Sequence, residues 1–277
     1  MQNKEKVVNF VFFGGEPLSV PVLEKLYKNG FVPQVIVCNP DKPAGRNLEI
    51  TPPPTKTWAI KHNVPVLQNE KLDQPFAEKL KALNCDLGIV VSYGKIIPKE
   101  IVNLPKLGLI NIHPSLLPLY RGPAPIVSAI LNDDKETGVT IIKIDEEMDH
   151  GPILAQEKIN LGGDELREDL EKTLAELGGE LLVKTLRAYI DGNIEMKNQD
   201  HSKATYVKKI TKADGEIDLG DDGLKNWRKF RAYHTWPRTF FFKNNKRIII
   251  TKARLENGKF VIEKIIPENG KETDYRA

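Results

Sequence analysis

Residues 107–132 read LGLINIHPSLLPLYRGPAPIVSAILN. The first seven of them, ending in Ile112-His113, predict a short buried strand. Pro114 and Pro118 cannot extend a ladder and push the residues before them away from helix, so the chain leaves the sheet as an ordered loop. Gly122-Pro123 then opens an apolar-periodic helix, with proline in its favoured first turn. Strand, loop and helix in that order form the repeating unit of an α/β sheet. In such a strand Asn111 and His113 are two apart and project from the same face. They can address one substrate atom; at this point they could equally satisfy backbone groups at a strand end.

Working outward, the runs VVNFVFF (7–13), VPQVIVC (32–38) and CDLGIVV (85–91) alternate with helical patterns near 17–29, 55–62, 74–83 and 123–132. This is the pattern of βαβ units around a mostly parallel sheet, a Rossmann-like α/β domain whose ligands lie outside the carboxyl ends of the strands. Gly14-Gly15 is followed by Glu16 and Pro17 with no third glycine, so a dinucleotide site is not implied. Downstream, TGVTIIKID (137–145) and ILAQEKINL (153–161) read as further strands, with Asp149 on the loop between them. If strands 107–113 and 137–145 are neighbours joined by the helix at 123–132, their carboxyl ends lie together and Asp149 reaches His113. An amide, an imidazole and a carboxylate then converge without a side-chain nucleophile, which favours direct attack of one bound substrate on another. Ser115 is the competing nucleophile, but it lacks the Gly-x-Ser-x-Gly setting.

Residues 164–191 predict a long amphipathic helix with Asp164 and Glu165 near its start, stopped by Gly192-Asn193. The expected organisation is a catalytic domain over 1–192, a polar linker over 193–204 and a small β-rich domain over 205–277. In the last, RTFFF, RIIITKA and KFVIEKII are separated by turns at Asn244-Asn245 and Asn257-Gly258, after a helix at 222–233.

The net charge of +3 hides an asymmetry: residues 1–200 carry 23 Lys+Arg against 28 Asp+Glu, residues 201–277 carry 18 against 10. A basic end with Trp227, Phe230, Tyr233 and Trp236 among its cations suits a polyanion such as RNA, although the aromatics could also be core. Cys38 and Cys85 are isolated inside strand-like runs and read as reduced core thiols. The apolar run 7–13 is too short for a signal peptide or a span, so a cytoplasmic protein is expected. The five histidines show no HxH or HExxH spacing, and no metal is expected.

Asn111-x-His113 with Asp149, Ser115-Leu116-Leu117-Pro118 and Arg121-Gly122 resembles the 10-formyltetrahydrofolate-dependent formyltransferases. The resemblance extends over most of the chain: residues 8–15 with Glu16-Pro17, Asn39-Pro40-Asp41-Lys42-Pro43-Ala44-Gly45-Arg46, Val91-Ser92-Tyr93-Gly94, Lys209-Ile210-Thr211-Lys212 with Ile217-Asp218, Phe230-Arg231-Ala232-Tyr233 and Trp236-Pro237. The trio alone says folate-linked formyl transfer; the loop at 39–46 and the C-terminal elements narrow it to members acting on methionyl initiator tRNA. The alternatives are an amino sugar nucleotide or other small amine as acceptor, and, from another class, a non-catalytic folate- or RNA-binding protein.

The resemblance implies 10-formyltetrahydrofolate as co-substrate, held by Ser115, Leu116, Leu117 and Pro118 with backbone near Val91, Ser92, Tyr93 and Gly94. It implies an OB-like C-terminal domain, and basic residues after the second strand, Lys42 and Arg46, that meet the tRNA acceptor stem. Asn47-Leu48-Glu49 departs from the lysines usual there. Lys208, Lys209 and Arg231 are the further tRNA-facing candidates, and a monomer is the expected state. Formyl transfer needs a site for negative charge on oxygen, which the Asn111 amide supplies. It also needs a proton for the departing nitrogen: His113 could deliver it or share the oxyanion role, and Asp149 could stabilise the charged imidazole and pass the amine's proton through water, so the sequence leaves the general base unassigned.

Overall fold

A computed structural model describes residues 8–44 and 48–276. Gly45, Arg46 and Asn47 lie outside the described residues, so the expected tRNA contact of Arg46 is outside them too. By packing, the described chain forms two units. One comprises residues up to 121 with 138–157 and 174–204; the other comprises 122–137, 158–173 and the chain from 205 onward.

The first unit starts with β1 (Phe10–Gly14), α1 (Ser19–Lys28), β2 (Val35–Cys38), the short hairpin of β3 (Lys42–Ala44) and β4 (Glu49–Thr51), and α2 (Pro54–Lys61). Next come β5 (Val66–Gln68), α3 (Gln74–Ala82), β6 (Leu87–Val91), α4 (Lys99–Val102) and β7 (Leu109–His113). Along the chain α5 (Pro125–Leu131), which belongs to the second unit, then precedes β8 (Glu136–Lys143), β9 (Ile153–Asn160) and α6 (Arg167–Ile190). The seven-stranded sheet has the order β5-β2-β1-β6-β7-β8-β9. Pairing from β5 to β7 is parallel, as the alternating apolar runs predict. The strands are apolar on both faces because helices cover both: Val11 and Phe13 of β1 and Val35 and Val37 of β2 pack with Phe76 and Leu80 of α3.

The order of the sheet reverses at β1, where the chain runs first outward through β2 and β5 and then inward to β6. That is the crevice where open α/β sheets hold ligands. α6 packs close on the sheet at Gly178 and on α1 at Gly179. A Cβ at 178 would stand 2.9 Å from Ile112, and one at 179 would stand 3.4 Å from the backbone of Val22. Helix α6 begins at Arg167, three residues later than the sequence predicts: Glu165 instead turns back to accept the backbone N–H of Gly163 at 3.0 Å.

One expectation is overturned. β8 runs antiparallel to β7, with Ile110 opposite Lys143 and His113 opposite Thr140, so their carboxyl ends do not lie together. The helix between them, α5, is not a crossover helix: it packs on α7 (Gly223–Ala232), where Asp133 just past its end meets Arg228 at 3.2 Å. Proline does open this helix, but it is Pro125 and not Pro123 that stands in its first turn.

The second unit holds a four-stranded antiparallel meander, β10 (Phe240–Lys243), β11 (Lys246–Glu256), β12 (Lys259–Pro267) and β13 (Thr273–Asp274). Its hairpins turn at Asn244-Asn245 (φ 52° and 59°) and Asn257-Gly258 (φ 51° and 77°), the left-handed pairs that a two-residue turn between twisted strands requires. α7, capped by the Asp222 carboxylate accepting Lys225 N–H at 3.0 Å, contributes Phe230 to a core with Ile217, Phe241 and Ile250.

Candidate active site

The site is built on the last two turns of pleat in β7. Asn111 and His113 share a face, and residues 144–152 fold back across it. This return has two backbone supports: Lys143 N–H donates to Pro152 O at 3.0 Å, and Gly151 lies so close to Lys143 that a Cβ there would stand 1.8 Å from its carbonyl oxygen. The loop delivers Asp149, in the left-handed region at φ 53°. Its Oδ1 accepts from Asn111 Nδ2 at 3.4 Å and its Oδ2 stands 3.6 Å from His113 Nδ1. One carboxylate thus bridges the amide and the imidazole, in a setting where the His113 side chain is 5% and the Asp149 side chain 14% exposed.

The other ring nitrogen settles the imidazole's tautomer. His113 Nε2 lies 3.0 Å from Tyr120 O; a carbonyl oxygen only accepts, so Nε2 carries hydrogen and Nδ1 is the ring nitrogen on the Asp149 side. The loop 114–120 that supplies this carbonyl is tightly bound. Thr140 Oγ1 donates to Ser115 O at 2.6 Å and accepts Leu117 N–H at 3.1 Å, and Gln156 Nε2 donates to Leu117 O at 3.0 Å. The Ser115 hydroxyl donates to Leu119 O at 2.6 Å. Leu117–Pro118 is cis.

The carboxyl end of β6 carries the other expected ligand segment. Val91 O accepts from Ser19 Oγ at 2.7 Å, and Ser92 and Gly94 both take positive φ, 46° and 76°. Tyr93 O accepts from Asn39 Nδ2 at 3.2 Å, and the Tyr93 ring packs edge-on against Phe13. Burial raises the Tyr93 hydroxyl to about 12, with Cys38 nearby adding to it. The Tyr93 hydroxyl and Asn39 Oδ1 are buried with no hydrogen-bond partner among the described residues. Cys38 and Cys85 are buried and unbridged, and burial pushes the Cys85 thiol to about 11.

Of the expected tRNA-facing residues, Lys42, Lys208 and Lys209 are exposed. Arg231 is not: it is 2% exposed, 3.7 Å from Asp133, donates to Glu165 O at 3.4 Å and lies against Trp227. A guanidinium held inside the fold cannot grip a phosphate outside it, and Arg231 is corrected to a structural role. The sequence reading also passed over Gln199 and the function of Arg121. Both are buried, and Gln199 donates to the carbonyls of Asp149 and Gly151 at 2.9 and 2.8 Å. The polar run 192–204 read as linker, although a buried glutamine cannot be told from a solvated one by local composition. A separate cavity of about 580 Å³, lined by Glu216, Ile217, Asp218 and Phe241 among others, lies in the second unit and carries no such trio. Among the described residues no helix is long and apolar enough to cross a membrane, and none group as metal ligands.

Residues 5–186 match the family described as Formyl transferase, and residues 209–272 match Formyl transferase, C-terminal domain. The methionyl-tRNA formyltransferase of Chloroflexus aggregans is 42% identical over 247 residues, covering 89% of this chain and 80% of that one. Among solved structures, an N-formyltransferase from Helicobacter canadensis, in complex with folinic acid and dTDP-3-aminofucose, matches with a TM-score of 0.70. It is 21% identical and covers 94% of this chain and 95% of its own. Methionyl-tRNA formyltransferase from Clostridium thermocellum matches with a TM-score of 0.65, 18% identical over 94% of this chain and 99% of that one. The structural likenesses carry the fold alone; the sequence identity speaks to more.

Proposed function

Because this chain belongs to the formyl transferase family, we propose that Asn111, His113 and Asp149 are the residues with which it transfers a formyl group to the amino group of methionyl initiator tRNA. The carboxylate of Asp149 lying within 3.4 and 3.6 Å of both partners carries this assignment. The co-substrate is a folate, and we assign it as 10-formyltetrahydrofolate. The carboxyl ends of β2 and β6 fit its flat, polar ring: the buried Tyr93 hydroxyl and the Asn39 side-chain oxygen Oδ1 are unpartnered among the described residues, and a Cβ on Gly94 would meet nothing within 4 Å. Val91, Ser92, Tyr93 and Gly94 would hold the ring, with Ser115, Leu116, Leu117 and Pro118 beside it.

When bound, that carrier supplies a formyl carbon activated on nitrogen, which the acceptor amine attacks; a Lewis acid is not needed. Asn111 Nδ2–H donates to the oxygen as it gains charge. His113, locked at Nε2 by Tyr120 O, moves a proton at Nδ1 towards the departing nitrogen. Asp149 holds both groups in register and receives the amine's proton, directly or through water. Residues 1–192 form the catalytic domain in this reading and 205–277 a basic C-terminal domain, with Lys42, Arg46, Lys208 and Lys209 facing tRNA. The protein acts as a monomer in the cytoplasm, where charged tRNA is found.

The experiment offers 10-formyltetrahydrofolate with either methionyl initiator tRNA or a panel of amino sugar nucleotides and small amines, following formyl incorporation. Formylation of the tRNA at a specificity constant well above that of every small amine is expected. Preference for an amino sugar overturns the acceptor, and absence of turnover with any amine overturns the chemistry.

A further inference from the structure

The structure assigns Gln199 as the positioning residue for Asp149, an inference that rests on Asp149 belonging to the active site. Gln199 is 5% exposed, and every polar group of its side chain is directed. Oε1 accepts from Arg121 Nε at 3.2 Å and Nη2 at 2.7 Å. Nε2 donates to Asp149 O at 2.9 Å and to Gly151 O at 2.8 Å. Because a guanidinium only donates, Arg121 forces Oε1 towards itself and thereby turns both N–H groups to the two carbonyls.

Those two bonds straddle His150 and clamp the turn whose first residue is Asp149. A non-glycine residue at φ 53° persists where its surroundings hold it there, and rotation of that peptide would swing the carboxylate away from Asn111 and His113. The strap is stiffened further. His201 Nδ1 accepts from Arg121 Nη2 at 2.8 Å, and its ring stacks on His150 at 4.0 Å and 4°. Lys197 pairs with Ile153 by backbone hydrogen bonds in both directions, 2.8 and 2.9 Å. Tyr120 O fixes His113, and the next residue, Arg121, fixes Gln199 and through it Asp149. Both acid–base partners are therefore referenced to the same two residues of the chain.

The test uses the full-length protein with 10-formyltetrahydrofolate and methionyl initiator tRNA. Gln199→Glu keeps the acceptor that Arg121 needs and removes both donors to the loop. It should lower kcat by about ten- to a hundred-fold while leaving the folate KM within about two-fold. Introduced into Asp149→Asn it should cost no more than about three-fold, because the group it positions is already disabled. Equal losses in both backgrounds, or wild-type kcat in Gln199→Glu, would overturn the clamp. An Asp149→Asn protein with undiminished turnover would instead remove the site assignment. Should Gln199→Glu not fold, the wild-type protein decides by NMR: the two Nε2 protons of Gln199, both bonded to carbonyls, should exchange slowly with water, and exchange at the rate of a solvent-exposed side-chain amide would overturn the proposal.

Discussion

Asp149 is the acidic member of the trio, and its carboxylate meets both others, Asn111 Nδ2 at 3.4 Å and His113 Nδ1 at 3.6 Å. Removing its charge without changing its shape therefore separates catalysis from binding. Asp149→Asn should lower kcat by about a hundred-fold or more, with the folate KM little changed, since the folate contacts proposed for residues 91–94 and 115–118 lie on other segments. Steady-state kinetics with folate varied at saturating tRNA measures this, and near-normal kcat would exclude the assigned role. Asn111→Leu should lose about 10²- to 10³-fold by removing the donor proposed for the oxyanion. The Asn111 and His113 pair was legible because Asn-x-His at a strand end puts two side chains on one face by the pleat alone, whereas Asp149 arrives on a return loop after an antiparallel strand and not by the parallel neighbours expected. Gln199 was not legible, because what distinguishes it is burial against Arg121, 78 residues away in sequence, and neither local pattern nor charge encodes that.

At the scale of elements, strand and helix identity followed from periodicity, and both two-residue hairpins followed from Asn-Asn and Asn-Gly. The direction of β8 did not, since a 22-residue connection containing a helix suits a crossover and a return equally well; in the structure it returns, with α5 packed on α7. That contact has a chemical consequence. The hydrogen bond from Lys135 holds the Asp133 carboxyl below its usual range against the opposing effect of burial, with Arg228 and Arg231 adding to it. Burial of Glu165 is outweighed by backbone N–H groups that also lower its carboxyl. A carboxylate with a lowered folded pKa contributes stability that is complete above its unfolded value, about 4, and that fades as pH falls through the folded value. Thermal melts should therefore show stability decreasing below about pH 4, and Asp133→Asn should be less stable at neutral pH with a flatter acid limb. An acid limb of unchanged slope in Asp133→Asn would show that the pair contributes nothing to it.

At the scale of the whole molecule, the charge asymmetry between the first 200 residues and the rest was plain from sequence, but its meaning divides once the structure is known. Arg228 and Arg231 neutralise Asp133, Arg254 pairs with Glu256 and Glu263, and Arg247 lies over the Phe240 ring at 3.8 Å. These cations hold the C-terminal unit together, whereas Lys208 and Lys209 are exposed. Phosphate contacts release counterions, so the specificity constant for tRNA should fall steeply between about 50 and 200 mM salt. Lys208→Ala and Lys209→Ala should each lower it and reduce the slope of its logarithm against log salt by about one, with the melting temperature unchanged. Arg231→Ala should do the reverse, lowering the melting temperature by leaving Asp133 short of a partner while the slope stays as in the wild type. A slope untouched by both lysines would mean that the basic balance of this end serves folding alone, and that tRNA is gripped elsewhere on the chain.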